Sequence, residues 1–145
     1  MLRGIHPLLS PELLHALAAM GHGDRIAIVD ANFPGTSHAK RLISLPGIDA
    51  PSVLQAILTV LPVDDFEPHP IAVMQVVGDA ATIPDVVGEF AAILARNNLA
   101  APTRLERQAF YDESAKAYAV VQSGERRFYG NILLTKGVVP PDMPA

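Results

Sequence analysis

No cysteine occurs among the 145 residues. Neither a disulfide framework nor a thiolate metal site is therefore available to the chain. Blocks of basic residues are missing too. The densest cluster is Arg126-Arg127, and 11 basic against 15 acidic residues leave a net charge of −4. A nucleic-acid partner, whose phosphates demand clustered cations, is excluded on that count. No apolar run approaches the ~18 residues of a membrane span. The opening MLRGIHPLL is broken by His6-Pro7 too early for a signal peptide. There is no GxGxxG or Walker pattern, so nothing points to a dinucleotide or to ATP. The histidines, His6, His15, His22, His38 and His69, form no HxH or HxxxH pair, which argues against a metal site. No internal repeat or low-complexity segment is present. A soluble cytoplasmic protein that needs no metal or other cofactor is the expectation.

Apolar residues, by contrast, are abundant. Half the chain is hydrophobic and only 18% is charged, with a mean hydropathy of +0.27. The length suits one domain. A small domain has much surface for its volume, so excess apolar area implies burial between subunits of a homo-oligomer. Ser10-Pro11-Glu12 opens a helix as N-cap, N1 and dipole-complementing acid, and Gly21 is a fitting C′ residue. Residues 25–29, RIAIV, read as a buried strand ended by Asp30, followed by a loop at 31–35. Residues 41–45, 71–77, 117–122 and 131–135 are further strands, with Ser123-Gly124 turning between the last two. Helices are expected over 51–61, over 83–96 with Thr82 as cap, and over 106–116. The tail from 139 to 145 reads as frayed. Continuous apolar strands interleaved with helices predict an α/β fold. It is a single compact layered domain whose mainly parallel sheet is covered by helices.

Four stretches carry candidate chemistry. In MGHGD, His22 lies between Gly21 and Gly23, which have no side chains to wall off the ring and tolerate φ > 0. Imidazole exchanges protons near neutrality. The plain alternative is an exposed turn residue behind a helix cap. Asp30 ends an apolar strand, where ligands gather in layered α/β folds; it equally suits an Asx turn. Arg107, Phe110 and Tyr111 share a helix face at i, i+3, i+4. The arginine's fixed fork of donors suits a hydroxylated or anionic ligand; an amphipathic helix with a snorkelling arginine is the plainer account. Tyr129-Gly130-Asn131 offers a hydroxyl, a close backbone approach and an amide, or simply a turn into a strand.

Taken together, SPELLHALAAMGHGD, DANFP, RQAFYDESAKAYAVV and SGERRFYGNILLTKGV resemble the fucose mutarotase and ribose pyranase family, from about residue 2 to residue 138. The resemblance implies an isomerase that interconverts sugar anomers, and in some members pyranose with furanose forms. It implies a compact α/β fold and ring-like homo-oligomers, often decamers. His22 matches the family's proton donor, while Asp30, Arg107 and the Tyr129-Gly130-Asn131 segment match its sugar-binding positions. Tyr111 is taken with Arg107 as substrate-binding. Arginine at 107 resembles the fucose-type branch. The residues after Pro34 vary in the family, so Thr36, Ser37 and His38 inherit no role.

Mutarotation opens and recloses a hemiacetal, so it needs a proton donor for the ring oxygen and an acceptor for the anomeric hydroxyl. The expected donor is His22. The expected acceptor is Asp30 or Tyr129, although a phenol serves as a base only if its proton is made easier to lose. Spacing poses a difficulty. Eight residues at about 3.3 Å each put His22 and Asp30 up to ~26 Å apart. Either the glycines fold the His22 loop back, or neighbouring subunits share a site; the second is the expectation. A non-catalytic sugar-binding module would keep Arg107, Asp30 and Asn131 without needing His22.

Overall fold

Ser10 caps the first helix as its sequence suggests, its side chain accepting from the Leu13 N–H at 3.2 Å. From there the computed structural model, which describes residues 1–143, alternates helices and strands. They are α1 (Pro11–Ala19), β1 (Arg25–Val29), α2 (Gly35–His38), β2 (Leu42–Leu45) and α3 (Ala50–Leu58). Then follow β3 (Ile71–Met74), α4 (Asp85–Arg96), β4 (Thr103–Leu105), α5 (Arg107–Lys116), β5 (Ala119–Ser123) and β6 (Ile132–Thr135). The short α2 and β4 are not anticipated by periodicity, being too brief to show one. Residues 139–143 are exposed, while 144–145 of the expected frayed tail lie outside the described residues.

Two caps differ from expectation for local reasons. Met20, not a left-handed Gly21, closes α1, with extended backbone at φ −60° and ψ 137°. Lys136 Nζ supplies the C-terminal capping instead, donating to the carbonyls of Leu17 and Met20 at 2.7 and 2.6 Å. Gly23, at φ +83°, is the glycine that takes the left-handed turn. Thr82 does not cap α4. Its hydroxyl donates to Asp79 at 2.6 Å, and the helix starts beyond Pro84.

The sheet order is β2-β5-β1-β6-β3-β4. β1 pairs parallel with β5, β5 with β2, and β3 with β4. β6 runs antiparallel to both β1 and β3. The sheet is therefore mixed, five strands pointing one way and one the other. β5 and β6 do not form a hairpin across Ser123-Gly124, because β1 lies between them.

Side-chain alternation sorts the strands onto two cores. Ile26, Ile28, Val73, Val121, Ile132 and Leu134 face α1, α3 and α4 in the larger one. Ala27, Val29, Ala72, Met74, Val120 and Leu133 face Phe33 and the α5 residue Phe110 in the smaller. Both faces are covered, which is why the strands read as unbroken apolar runs. None of the described helices is long and apolar enough to cross a membrane.

The reversed strand β6 matters most for function. Its start lies beside the end of β1, which brings residues 129–131 next to Asp30. Its end lies beside the start of β1, bringing residues 135–137 next to the His22 loop. The registers Ile28–Ile132 and Arg25–Thr135 fix both alignments.

Candidate active site

At the carboxyl end of β1 the chain forms a cavity of about 220 Å³ lined by Asp30, Asn32, Phe33, Met74, Arg107, Tyr111, Phe128, Tyr129 and Asn131. That is below the range of about 300–1,000 Å³ common for drug-sized ligands, and suits a single small ring. Its lining is divided chemically. Phe33, Met74 and Phe128 give an apolar wall, while carboxylate, amide, guanidinium and phenol give a polar one.

Asp30 and Asn131 form the polar floor. The Asn131 amide clasps the aspartate at two points: Oδ1 accepts from the Asp30 N–H at 2.9 Å, and Nδ2 donates to Asp30 Oδ2 at 3.0 Å. Asp30 Oδ1 accepts from the Asn32 N–H at 2.9 Å. Each carboxylate oxygen keeps a further lone pair for a ligand hydroxyl. Burial pushes the Asp30 carboxyl above its usual range. The bonds from Asn32, Asn131 and Phe33 oppose that rise, and the nearby Glu125 charge adds to it. A carboxyl so disposed is suited to take up and return a proton.

Gly130 is buried but does not line the cavity. A Cβ there would stand 2.6 Å from Glu125 Cγ, so a larger residue would displace the Glu125 side chain, while its 3.5 Å distance from Asp30 Cβ would be ordinary contact. Glu125 is itself held below the ordinary carboxylate range, chiefly by Arg127, whose guanidinium also reaches Glu89. Tyr129 adopts φ +65°, which few non-glycine residues accept. The turn directs its hydroxyl to the Val77 N–H, from which it accepts at 3.2 Å. That bond ties the cavity's lip to the loop that follows β3.

Helix α5 contributes the remaining wall. Of the shared face, Phe110 is fully buried, while Arg107 and Tyr111 reach the cavity. The exposed Arg107 guanidinium has no ion pair or hydrogen bond among the described residues, which leaves its donors for a ligand. Tyr111 stands on a small aromatic stack. Its ring lies 5.3 Å from Phe33 and 5.5 Å from His38, whose Nε2 donates to the Tyr111 carbonyl at 2.8 Å.

His22 is not part of this cavity. It lies beyond the other end of β1, on the order of 20 Å away at about 3.3 Å per strand residue. Its glycines do not fold it back. Instead the half-exposed ring contacts Asp64, with Nε2 3.0 Å from Oδ1, and meets Phe66 edge-on at 5.6 Å. Of the residues proposed from sequence, the structure thus gathers Asp30, Arg107, Tyr111, Tyr129 and Asn131 around one cavity, with Gly130 beneath it and His22 apart. Asn32, Phe33, Met74, Phe128 and Asp64 were not anticipated. Asn32 and Phe33 stand in the DANFP motif itself. Asp64 lies in a proline-broken loop with no periodic signal. Among the described residues no cluster of three or more His, Asp or Glu could hold a metal ion.

Comparison with known proteins identifies the family. Residues 3–139 match the model of the RbsD / FucU transport protein family. An L-fucose mutarotase of Glaesserella parasuis serovar 5 is 47% identical over 143 residues, covering 97% of each chain. A fucose mutarotase of Homo sapiens is 42% identical, covering 95% of this chain and 94% of its own. The crystal structure of the fucose mutarotase in complex with L-fucose from Streptococcus pneumoniae superposes with a TM-score of 0.91 at 40% identity. It covers 96% of this chain and 100% of its own. From its first helix to the residues beyond β6, the chain belongs to the RbsD / FucU family.

Proposed function

We propose that the chain is a monosaccharide mutarotase acting on L-fucose, working as a cytoplasmic homo-oligomer without a cofactor. The observation that carries this reading is the convergence of Asp30, Asn131, Arg107 and Tyr129 on a cavity sized for one sugar, with an apolar wall opposite. Relatives of similar length that are named for this reaction support it.

The chemistry is a pair of proton transfers. The ring oxygen gains a proton as its bond to the anomeric carbon breaks, and the anomeric hydroxyl loses one to become the aldehyde. The aldehyde turns its other face to the hydroxyl, and closure reverses both transfers. Asp30, whose proton burial favours, is our acceptor from the anomeric hydroxyl. Tyr129, with its hydroxyl engaged at Val77, lines and shapes the site. Arg107 and Asn131 hold sugar hydroxyls, keeping the open chain poised to reclose.

His22 is our donor to the ring oxygen, delivered from a neighbouring copy. Its position at the far end of β1 supports this, because no loop of the same chain carries it across the sheet. Two exposed phenylalanines support it as well. Phe66 beside His22 and Phe128 beside the cavity are each 74% exposed, and both would be covered if the His22 end of one copy met the cavity of the next.

The test is saturation-transfer NMR on L-fucose anomers. Exchange should accelerate in proportion to added protein, and no acceleration above buffer would overturn the reading. Sugar-dependent thermal stabilisation without acceleration would instead indicate a binding module. Faster pyranose–furanose exchange of ribose, with L-fucose unaffected, would indicate the pyranase-type reaction.

A further inference from the structure

A half-exposed histidine is ordinarily free to turn. Here it is held by a carboxylate that the fold goes to some length to bury. The Asp64 side chain is 4% exposed against 49% for His22. Burying a carboxylate is costly, and an ion pair to a half-exposed partner returns little stability, so stability alone accounts poorly for the arrangement.

The two residues are fastened to the same rail, residues 135–137, which runs from the last residue of β6 to just past it. The Asp64 N–H donates to the Thr135 carbonyl at 3.0 Å, and the Gly137 N–H to the Pro62 carbonyl at 2.8 Å. On the other side the Gly23 N–H donates to the Lys136 carbonyl at 2.9 Å, and the Lys136 N–H to the Asp24 carbonyl at 2.8 Å. A Cβ on Gly137 would stand 2.8 Å from Asp64 Cα, so the aspartate segment presses directly on the rail. Imidazole and carboxylate are thus set in register by backbone alone.

Within the pair the hydrogen positions follow. Asp64 Oδ2 accepts from the Glu67 N–H at 3.0 Å, and Oδ1 more loosely from the Phe66 N–H at 3.4 Å. Burial works against its ionisation, but the His22 bond and these N–H groups outweigh it and hold the carboxyl below its usual range. An ionised carboxylate only accepts, so the hydrogen between the residues sits on Nε2. Nδ1 has no partner among the described residues and remains free.

We propose that Asp64 is a positioning residue that holds His22 with Nε2–H toward the carboxylate, so that the imidazolium gives its Nδ1 proton to the ring oxygen, is left as the neutral Nε2–H tautomer, and recovers the proton at Nδ1 when the ring recloses. This rests on the reading of His22 as the donor. Without Asp64 the ring turns freely and its neutral form divides between tautomers, so the proton-exchanging nitrogen is no longer fixed.

Asp64→Asn separates this role from simple bracing of the 64–67 turn. The shorter bond, from Glu67, claims the amide oxygen. The amide NH₂ then faces His22 and turns Nε2 into an acceptor. Long-range ¹H–¹⁵N spectra of the full-length protein should show neutral His22 as Nε2–H in the parent, and shifted toward Nδ1–H in Asp64→Asn. The kcat for L-fucose anomer exchange should fall about 10–100-fold, with KM within about threefold and sugar-induced thermal stabilisation kept. Asp64→Ala should show a mixed tautomer and a comparable fall in kcat. Either variant turning over at the parent rate, or a parent ring in the Nδ1–H form, overturns the proposal; the parent spectrum decides it even if neither variant folds. His22→Ala distinguishes the two levels. A His22→Ala protein at the parent rate removes the donor reading and this inference with it. A slow His22→Ala beside a parent-rate Asp64→Asn removes this inference alone.

Discussion

Replacing His22 with alanine should lower the rate of L-fucose anomer exchange by about 10²–10⁴-fold, the contribution of one well-placed acid or base group. Sugar affinity should weaken only modestly, because the groups proposed to hold the hydroxyls are Asp30, Arg107 and Asn131, all at the other end of β1. The fold should survive. The ring is half exposed and its one hydrogen-bond partner is Asp64, whose remaining oxygen keeps the Glu67 N–H. Saturation-transfer rates and sugar-dependent thermal shifts, measured on the same preparation, separate the two effects. A parent-rate variant, or one that no longer binds sugar, would contradict the assignment.

The second large effect concerns what holds the cavity open. Phe110 is fully buried on the side of α5 that faces the smaller core. Its ring meets Phe33 edge-on at 6.4 Å, and Phe33 lines the cavity. Several residues around it are small, Ala27, Ala72 and Ala117 among them, and cannot swing in to fill a void. Phe110→Ala should therefore cost about 3–5 kcal/mol of stability, the range for emptying a well-packed aromatic site. Phe33 would lose its backing and Tyr111 the support of that stack, so sugar-induced stabilisation should shrink along with the urea midpoint. A loss below about 1 kcal/mol would mean that this core relaxes far more readily than its packing suggests.

Much of this arrangement is legible in the sequence, and the illegible parts share a cause. The Ser10 cap and the RIAIV strand are set by neighbours a few residues away, so local pattern reads them correctly. Asp30, Arg107 and the 129–131 segment are recognisable as polar residues at the ends of apolar elements. Their meeting is not, because it depends on β6 running against its neighbours. A strand's direction is decided by its partners and leaves no mark in its own residues. Ser123-Gly124, read as the turn between β5 and β6, closes no hairpin because β1 lies between those strands, and strand order too leaves no local mark. Lys136 capping α1, more than a hundred residues away, is equally beyond local reading. Asp64 follows proline and valine in a stretch with no period, and acquires its role only through residues 135–137.

The separation of His22 from Asp30 was already implied by counting residues along a strand, and the fold leaves it in place. The account therefore depends on two copies of the chain completing one site. The direct measurement mixes His22→Ala and Asp30→Ala proteins after reversible dissociation. Each should be nearly inactive alone. At equal amounts, a site drawing its carboxylate from one copy and its imidazole from the next is intact when both even choices fall right. Reassembled particles should thus recover about a quarter of the parent exchange rate, given random assortment of copies in a symmetric oligomer. Reassembly with no recovered activity would contradict the shared site.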